Sequence, residues 1–106
     1  MSAAKPHAVL AWAERHCQAG PEALRARVLD LLRSRPPDSS LPHSLAAAGR
    51  EALQRVTAHP GGRSVALDLL AADALITLAL LAQSEAAPER LDELGLELLA
   101  GGSQSA

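Results

Sequence analysis

Ser64–Gln83, SVALDLLAADALITLALLAQ, is the longest apolar stretch of the chain, and only Asp68, Asp73 and Thr77 interrupt its interior. On a helical wheel at about 100° per residue, Val65, Leu69, Ala72, Ile76 and Leu80 gather on one side, and Leu67, Leu70, Leu75, Leu78 and Leu81 cover most of the other. A helix that is apolar all round is buried all round. The stretch therefore predicts a helix at the centre of the fold, over about residues 64–83. Asp73 and Thr77, one turn apart, share its narrow polar strip. Asp68 falls near the first turn, where the helix dipole favours a negative charge.

The same stretch is just long enough to cross a bilayer. Asp73 near its middle costs roughly 2.5–3.5 kcal/mol on insertion scales. Arg63 flanks one end only, and no Trp or Tyr belt accompanies it. No membrane span is expected.

Composition points the same way as the wheel. The chain has 106 residues, 48% of them hydrophobic, and Trp12 is the only aromatic. Leu and Ala dominate, which favours helices, while the aromatic and β-branched residues that strands prefer are few. The fold class is all-α: a compact bundle of four to five short helices around the central apolar one. A single helical domain is expected over residues 5–100, with a disordered 1–4 and a flexible tail at 101–106. A domain of this size can bury a core without disulfides or metal.

Turn residues divide the rest. Pro6 suits the first turn of a first helix, with Val9, Trp12, Ala13, His16 and Cys17 on one face, and Gly20 ends it. Pro21 opens a second, with Leu24, Val28, Leu31 and Leu32 inward and Arg25, Arg27 and Arg33 solvated. It stops before Arg35-Pro36-Pro37. A third runs from Ser40 or Pro42 to Ala58 with a small-residue stripe, Leu45, Ala48, Gly49, Ala52, Leu53 and Val56. Gly49 inside a helix costs roughly 1 kcal/mol against Ala, and close approach of another helix is the compensation. His59-Pro60-Gly61-Gly62-Arg63 is a turn, and Ser64 is placed to cap the central helix. After a break at Ser84–Pro88, a last helix at 89–99 carries Leu91, Leu94, Leu98 and Leu99 inward and Glu93 and Glu97 outward. Gly95 there is expected to permit close packing, and Gly101-Gly102 to end the helix.

Charge and motifs exclude more than they assign. The net charge of −2 offers no broad basic footprint, so nucleic acid is disfavoured as a partner. A helix-turn-helix reading rests only on Arg25, Arg27, Arg33 and Arg35. His7, His16, His43 and His59 have no metal-ligand spacing, and neither a metal nor a cofactor is expected. Cys17, the single cysteine, excludes an internal disulfide and suits a reducing compartment, and the N-terminal residues have no apolar leader pattern. A cytoplasmic location is expected. Cys17 on an apolar face reads as a small core residue, and no catalytic residue is assigned.

Leu70–Ala79, LAADALITLA, resembles the LAGDALLTLA stretch of the trans-prenyltransferases, all-α isoprenoid diphosphate synthases. The Asp-rich DDxxD motif that holds their metal ions occurs nowhere in this chain. No activity follows from the resemblance.

The functional expectation is a small non-enzymatic helical protein acting through protein contact, as a homodimer or an adaptor. Its apolar helix faces, through Leu80, Leu91, Leu94 and Leu98, are the expected contact elements. The alternative is a ligand-binding or enzymatic domain with a pocket between helices, Asp73 and Thr77 at its wall. A buried carboxylate at Asp73 would need a partner. A minor candidate is an anion site at His59, Arg63 and Ser64, where glycines precede a helix N-terminus.

Overall fold

The computed structural model describes residues 5–36, 40–58 and 61–103. Five α-helices follow one another: α1 Pro6–His16, α2 Glu22–Arg33, α3 Leu41–Ala58, α4 Arg63–Ala86 and α5 Leu91–Ser103. A single 3₁₀ turn, Pro88–Arg90, leads into α5, and no strand occurs among the described residues. The expected all-α bundle around the apolar fourth helix is the fold. The regions expected to be disordered at 1–4, and the end of the tail at 104–106, lie outside the described residues. α5 runs on through Gly101-Gly102 to Ser103, three residues short of the chain end and past the stop its glycines suggest.

Local chemistry explains the boundaries. Pro6 opens α1, and the Lys5 carbonyl accepts the Ala8 and Val9 N–H groups. Glu22 sits in the first turn of α2 and Arg33 in its last, each matched to the helix dipole. Ser40 caps α3: its carbonyl accepts the Ser44 N–H at 2.9 Å and its hydroxyl the His43 N–H at 3.3 Å. Gly62, with φ of 95°, holds the cap position of α4, so Ser64 lies inside the first turn and makes no cap bond. The buried Gln83 side chain donates to the Ala87 carbonyl at 3.0 Å, closing the other end.

α4 is the hub, touching α2, α3, α5 and the 3₁₀ turn, and its contact with α3 is the most extensive in the bundle. α1 packs on α2 and α3. The core combines Val9, Ala13, Val28, Leu31, Leu45, Leu75 and Leu94 with a layer of buried alanines from α3 and α4. Gly49 lies at a close approach of α3 to α4. A Cβ added there would lie 3.0 Å from Ile76 Cγ1, 3.3 Å from Leu75 Cβ and 3.4 Å from the Ala72 carbonyl oxygen.

Three expectations about burial are corrected. α4 is not buried all round: Ala71, Ala72, Leu75, Leu78, Ala79 and Ala82 face inward, while Leu69, Leu70, Asp73, Thr77, Leu80 and Leu81 are exposed. The other helices provide neighbours on one side of α4 only. The segment buried on every side is Ser44–Gly49, in the first half of α3, whose small side chains let helices crowd it. Leu53 and Leu99, expected inward, are 37% and 73% exposed, because the core-facing arcs of α3 and α5 are narrower than their leucine patterns. Gly95 permits no close contact, since a Cβ there would meet nothing within 4 Å.

The two helical glycines should therefore respond oppositely. Gly49→Val should destabilise the protein by about 2 kcal/mol through overpacking against α4. Gly95→Ala should stabilise it by about 0.5–1 kcal/mol through helix propensity. Chemical denaturation of the two variants checks both signs.

Candidate functional site: an open apolar face and the polar clusters beside it

The open side of α4 is built by helical periodicity alone. At about 100° per residue, Leu69, Leu70, Asp73, Thr77, Leu80 and Leu81 fall within an arc of about 120°. Their leucines are 50%, 56%, 37% and 40% exposed in chain order, two near each end of the stripe. Asp73 and Thr77 separate the pairs and are themselves exposed. The expected burial of Asp73 and Thr77 at the wall of an inter-helix pocket is thus corrected: both lie on the outer face, where water solvates the carboxylate.

The other expected contact residues divide. Leu80 is on the open face, and Leu91 and Leu98 are half-buried. Leu94 is 1% exposed and belongs to the chain's own core, so it cannot meet a partner. The exposed leucines of α5 are Leu96 and Leu99. Of the expected anion site, His59 lies outside the described residues, and Arg63 and Ser64 are exposed in the first turn of α4.

The acidic residue that does turn inward is Asp68. It is buried, and its Oδ1 accepts a hydrogen bond from Arg27 Nε of α2, at 2.5 Å. Arg27, expected in solvent, is instead the tie between α2 and the start of α4. The bond to Asp68 holds the Arg27 pKa above its ordinary value, burial opposing. The two residues stand 41 positions apart, and no local pattern pairs them.

A polar cluster lies where α3 begins. Ser40 Oγ is 2.8 Å from His43 Nδ1, and His43 Nε2 is 3.0 Å from Glu97 Oε2 of α5. With Nε2–H donating to the carboxylate, a neutral His43 accepts the Ser40 hydroxyl at Nδ1. The cluster borders a cleft of about 440 Å³ that Gln83, Arg90 and Glu93 also line. Its order of groups is that of a hydroxyl relay, but Ser40 already serves as the helix cap. Pro42 has no N–H, and the His43 N–H is committed to Ser40. The first turn of α3 thus has little to offer a developing oxyanion. The arrangement fastens α5 to the start of α3. The Ser40-x-x-His43 spacing is a visible cap signal, whereas the Glu97 partner is not.

A more apolar cavity of about 390 Å³ lies between α1, the end of α2 and α3, walled by Val9, Leu10 and Leu32. Arg35 is at its edge. Its Nη1 approaches Glu51 Oε2 at 3.5 Å, while its Nε is buried with no hydrogen-bond partner among the described residues. Cys17 is half-buried after α1, and burial pushes its thiol pKa up against the opposing pull of Arg25. A thiol held protonated is a weak nucleophile. His16 is spent on Trp12: their rings stack at 3.9 Å, and Nδ1 lies 2.9 Å from the Trp12 carbonyl oxygen. No group of three metal-ligating side chains occurs among the described residues.

Comparison with protein-family models, with curated proteins and with solved structures finds no match for this chain.

Removing one member of the inward ion pair should cost more than removing both. Arg27→Met leaves the Asp68 carboxylate buried and alone, and should destabilise the fold by about 2–3 kcal/mol, below the cost of a fully buried pair because Arg27 retains some solvent. Adding Asp68→Leu should recover at least half of that loss, read from urea unfolding midpoints.

Proposed function

We propose that this protein works by contact, its α4 outer face docking against a helix of another polypeptide, with a second copy of the chain as the first partner to test. The single observation behind this reading is the row of exposed leucines along a hub helix that is otherwise packed. Two exposed leucine pairs on one arc of a helix mark an interaction surface more often than scattered exposed leucines do. Completing the burial of a half-exposed leucine contributes roughly 1 kcal/mol. Association costs about 4 kcal/mol or more in lost freedom of motion. Four leucines from each side therefore support a weak contact, governed by concentration.

By length and hydropathy α4 also meets the requirement for a membrane span, as core helices of soluble bundles do. Its inward Asp68–Arg27 pair and its packing on α2, α3 and α5 favour the core-helix reading, and with the single thiol they favour a cytoplasmic setting. Of the arginines that a DNA-binding reading would use, Arg27, Arg33 and Arg35 are engaged by Asp68, Asp30 and Glu51. That favours a protein partner over nucleic acid.

Sedimentation equilibrium from about 10 µM to about 1 mM tests the contact in the range expected for weak association. The mass should rise above the 11.0 kDa of one chain. Leu70→Lys combined with Leu81→Lys should hold it at 11.0 kDa and leave the thermal melt nearly unchanged, because both side chains are already half in water. A wild-type mass that never rises would remove a second copy as the partner of this face.

The buried, unpartnered Arg35 Nε favours a second reading, a small anionic amphiphile in the cavity between α1, α2 and α3. Arg35 would meet the anionic head and Val9, Leu10 and Leu32 the tail. Decanoate titrated into ¹⁵N-labelled protein should shift the amides of Val9, Leu10 and Leu32, and Arg35→Gln should abolish those shifts. Unmoved amides at millimolar decanoate would remove this reading.

A further inference from the structure

The four exposed leucines of α4 are mirrored about Leu75, and two different polar residues hold the mirrored positions between them. Leu69 and Leu81 lie six residues on each side of Leu75, Leu70 and Leu80 five, and Asp73 and Thr77 two. All six face out within one arc. A surface that a two-fold axis pairs with itself must be self-complementary, residue i meeting j while j meets i. A partner of unrelated sequence places no such demand on the stripe.

We infer that the partner of this face is a second copy of the chain, with α4 packed antiparallel to α4 about a two-fold axis at the level of Leu75. The inference rests on the reading of the face as a contact surface, and adds the partner and its register. In this arrangement Leu69 lies opposite Leu81 of the second copy and Leu70 opposite Leu80. The four leucine contacts sit at the two ends, where the helix is apolar.

The polar residues decide the direction. In a parallel pair Asp73 would face Asp73, and two carboxylates brought together away from water repel. In the antiparallel pair Asp73 faces Thr77, whose hydroxyl donates a hydrogen bond to the carboxylate, once on each side of the axis. Asp73 is available for this, since it takes no ion pair or side-chain hydrogen bond among the described residues. Ala66 and Ser84, both exposed and equally far from Leu75, extend the symmetry by a turn with side chains small enough for close approach.

Cross-linking tests the register in the full chain. With Cys17→Ser as background, Leu70→Cys and Leu80→Cys proteins are mixed in a glutathione redox buffer. Antiparallel pairing brings position 70 against position 80, within disulfide reach. It holds 70 from 70 about 15 Å apart along the axis, beyond that reach. The 70-to-80 disulfide should exceed both like-with-like products by tenfold or more. Thr77→Lys gives an independent readout: the new ammonium group meets Asp73 of the second copy, and self-association should tighten several-fold. Parallel pairing would set the two ammonium groups against each other and weaken it.

A dominant 70-to-70 product, or weaker association of Thr77→Lys, overturns the register while the contact reading stands. Wild-type assembly without either cross-link does the same. A wild-type chain that stays at one-chain mass overturns the self-pairing altogether.

Discussion

The bundle depends on how closely α3 can approach α4. Gly49 has no side chain, and a methyl group there would press on Ile76, Leu75 and the Ala72 backbone at once. Around it the buried face of α3 is mostly alanine, as is much of the facing side of α4. Small residues on both helices bring the backbones together, and dispersion contacts accumulate along the whole seam. The remaining helices are attached to this pair: α2 and α5 on α4 and α3, and α1 on α2 and α3. Ordered polar contacts tie down the edges of that seam, Arg27 to Asp68 at one end of α4 and Ser40–His43–Glu97 between α3 and α5.

The same economy of size leaves α4 half uncovered. Among the described residues, the neighbours of the chain's most apolar element cover one side of it. The outcome for the two aspartates follows from position on the wheel. Asp68 lies on the inner arc and must have a partner, which Arg27 supplies. Asp73 lies on the outer arc, remains solvated, and needs none. The proposed contact surface and the buried core are thus two sides of one helix, separated by about half a turn.

Much of the fold was legible in the residues. Proline and glycine set most boundaries, because they act through backbone geometry that needs no tertiary context. The helical class followed from leucine and alanine with almost no aromatic or β-branched competition. The close approach at Gly49 could be anticipated from the cost of glycine inside a helix. Gly95 carries the same cost, yet no neighbour approaches it. Leu94 illustrates the limit at the candidate site. Its spacing matched that of Leu91 and Leu98, yet it alone of the three is fully buried.

The amino-acid sequence by itself determined that this protein is helical, where its helices run within a few residues, and which of them is the hub. Those properties come from local propensity and periodicity. Only the tertiary structure decided which arc of the hub helix is covered, and hence that Asp68 is buried and paired while Asp73 is exposed. A hydropathy wheel ranks side chains but does not count neighbours. The number and placement of the other helices, set by long-range packing, chose which leucines became core and which remained outside.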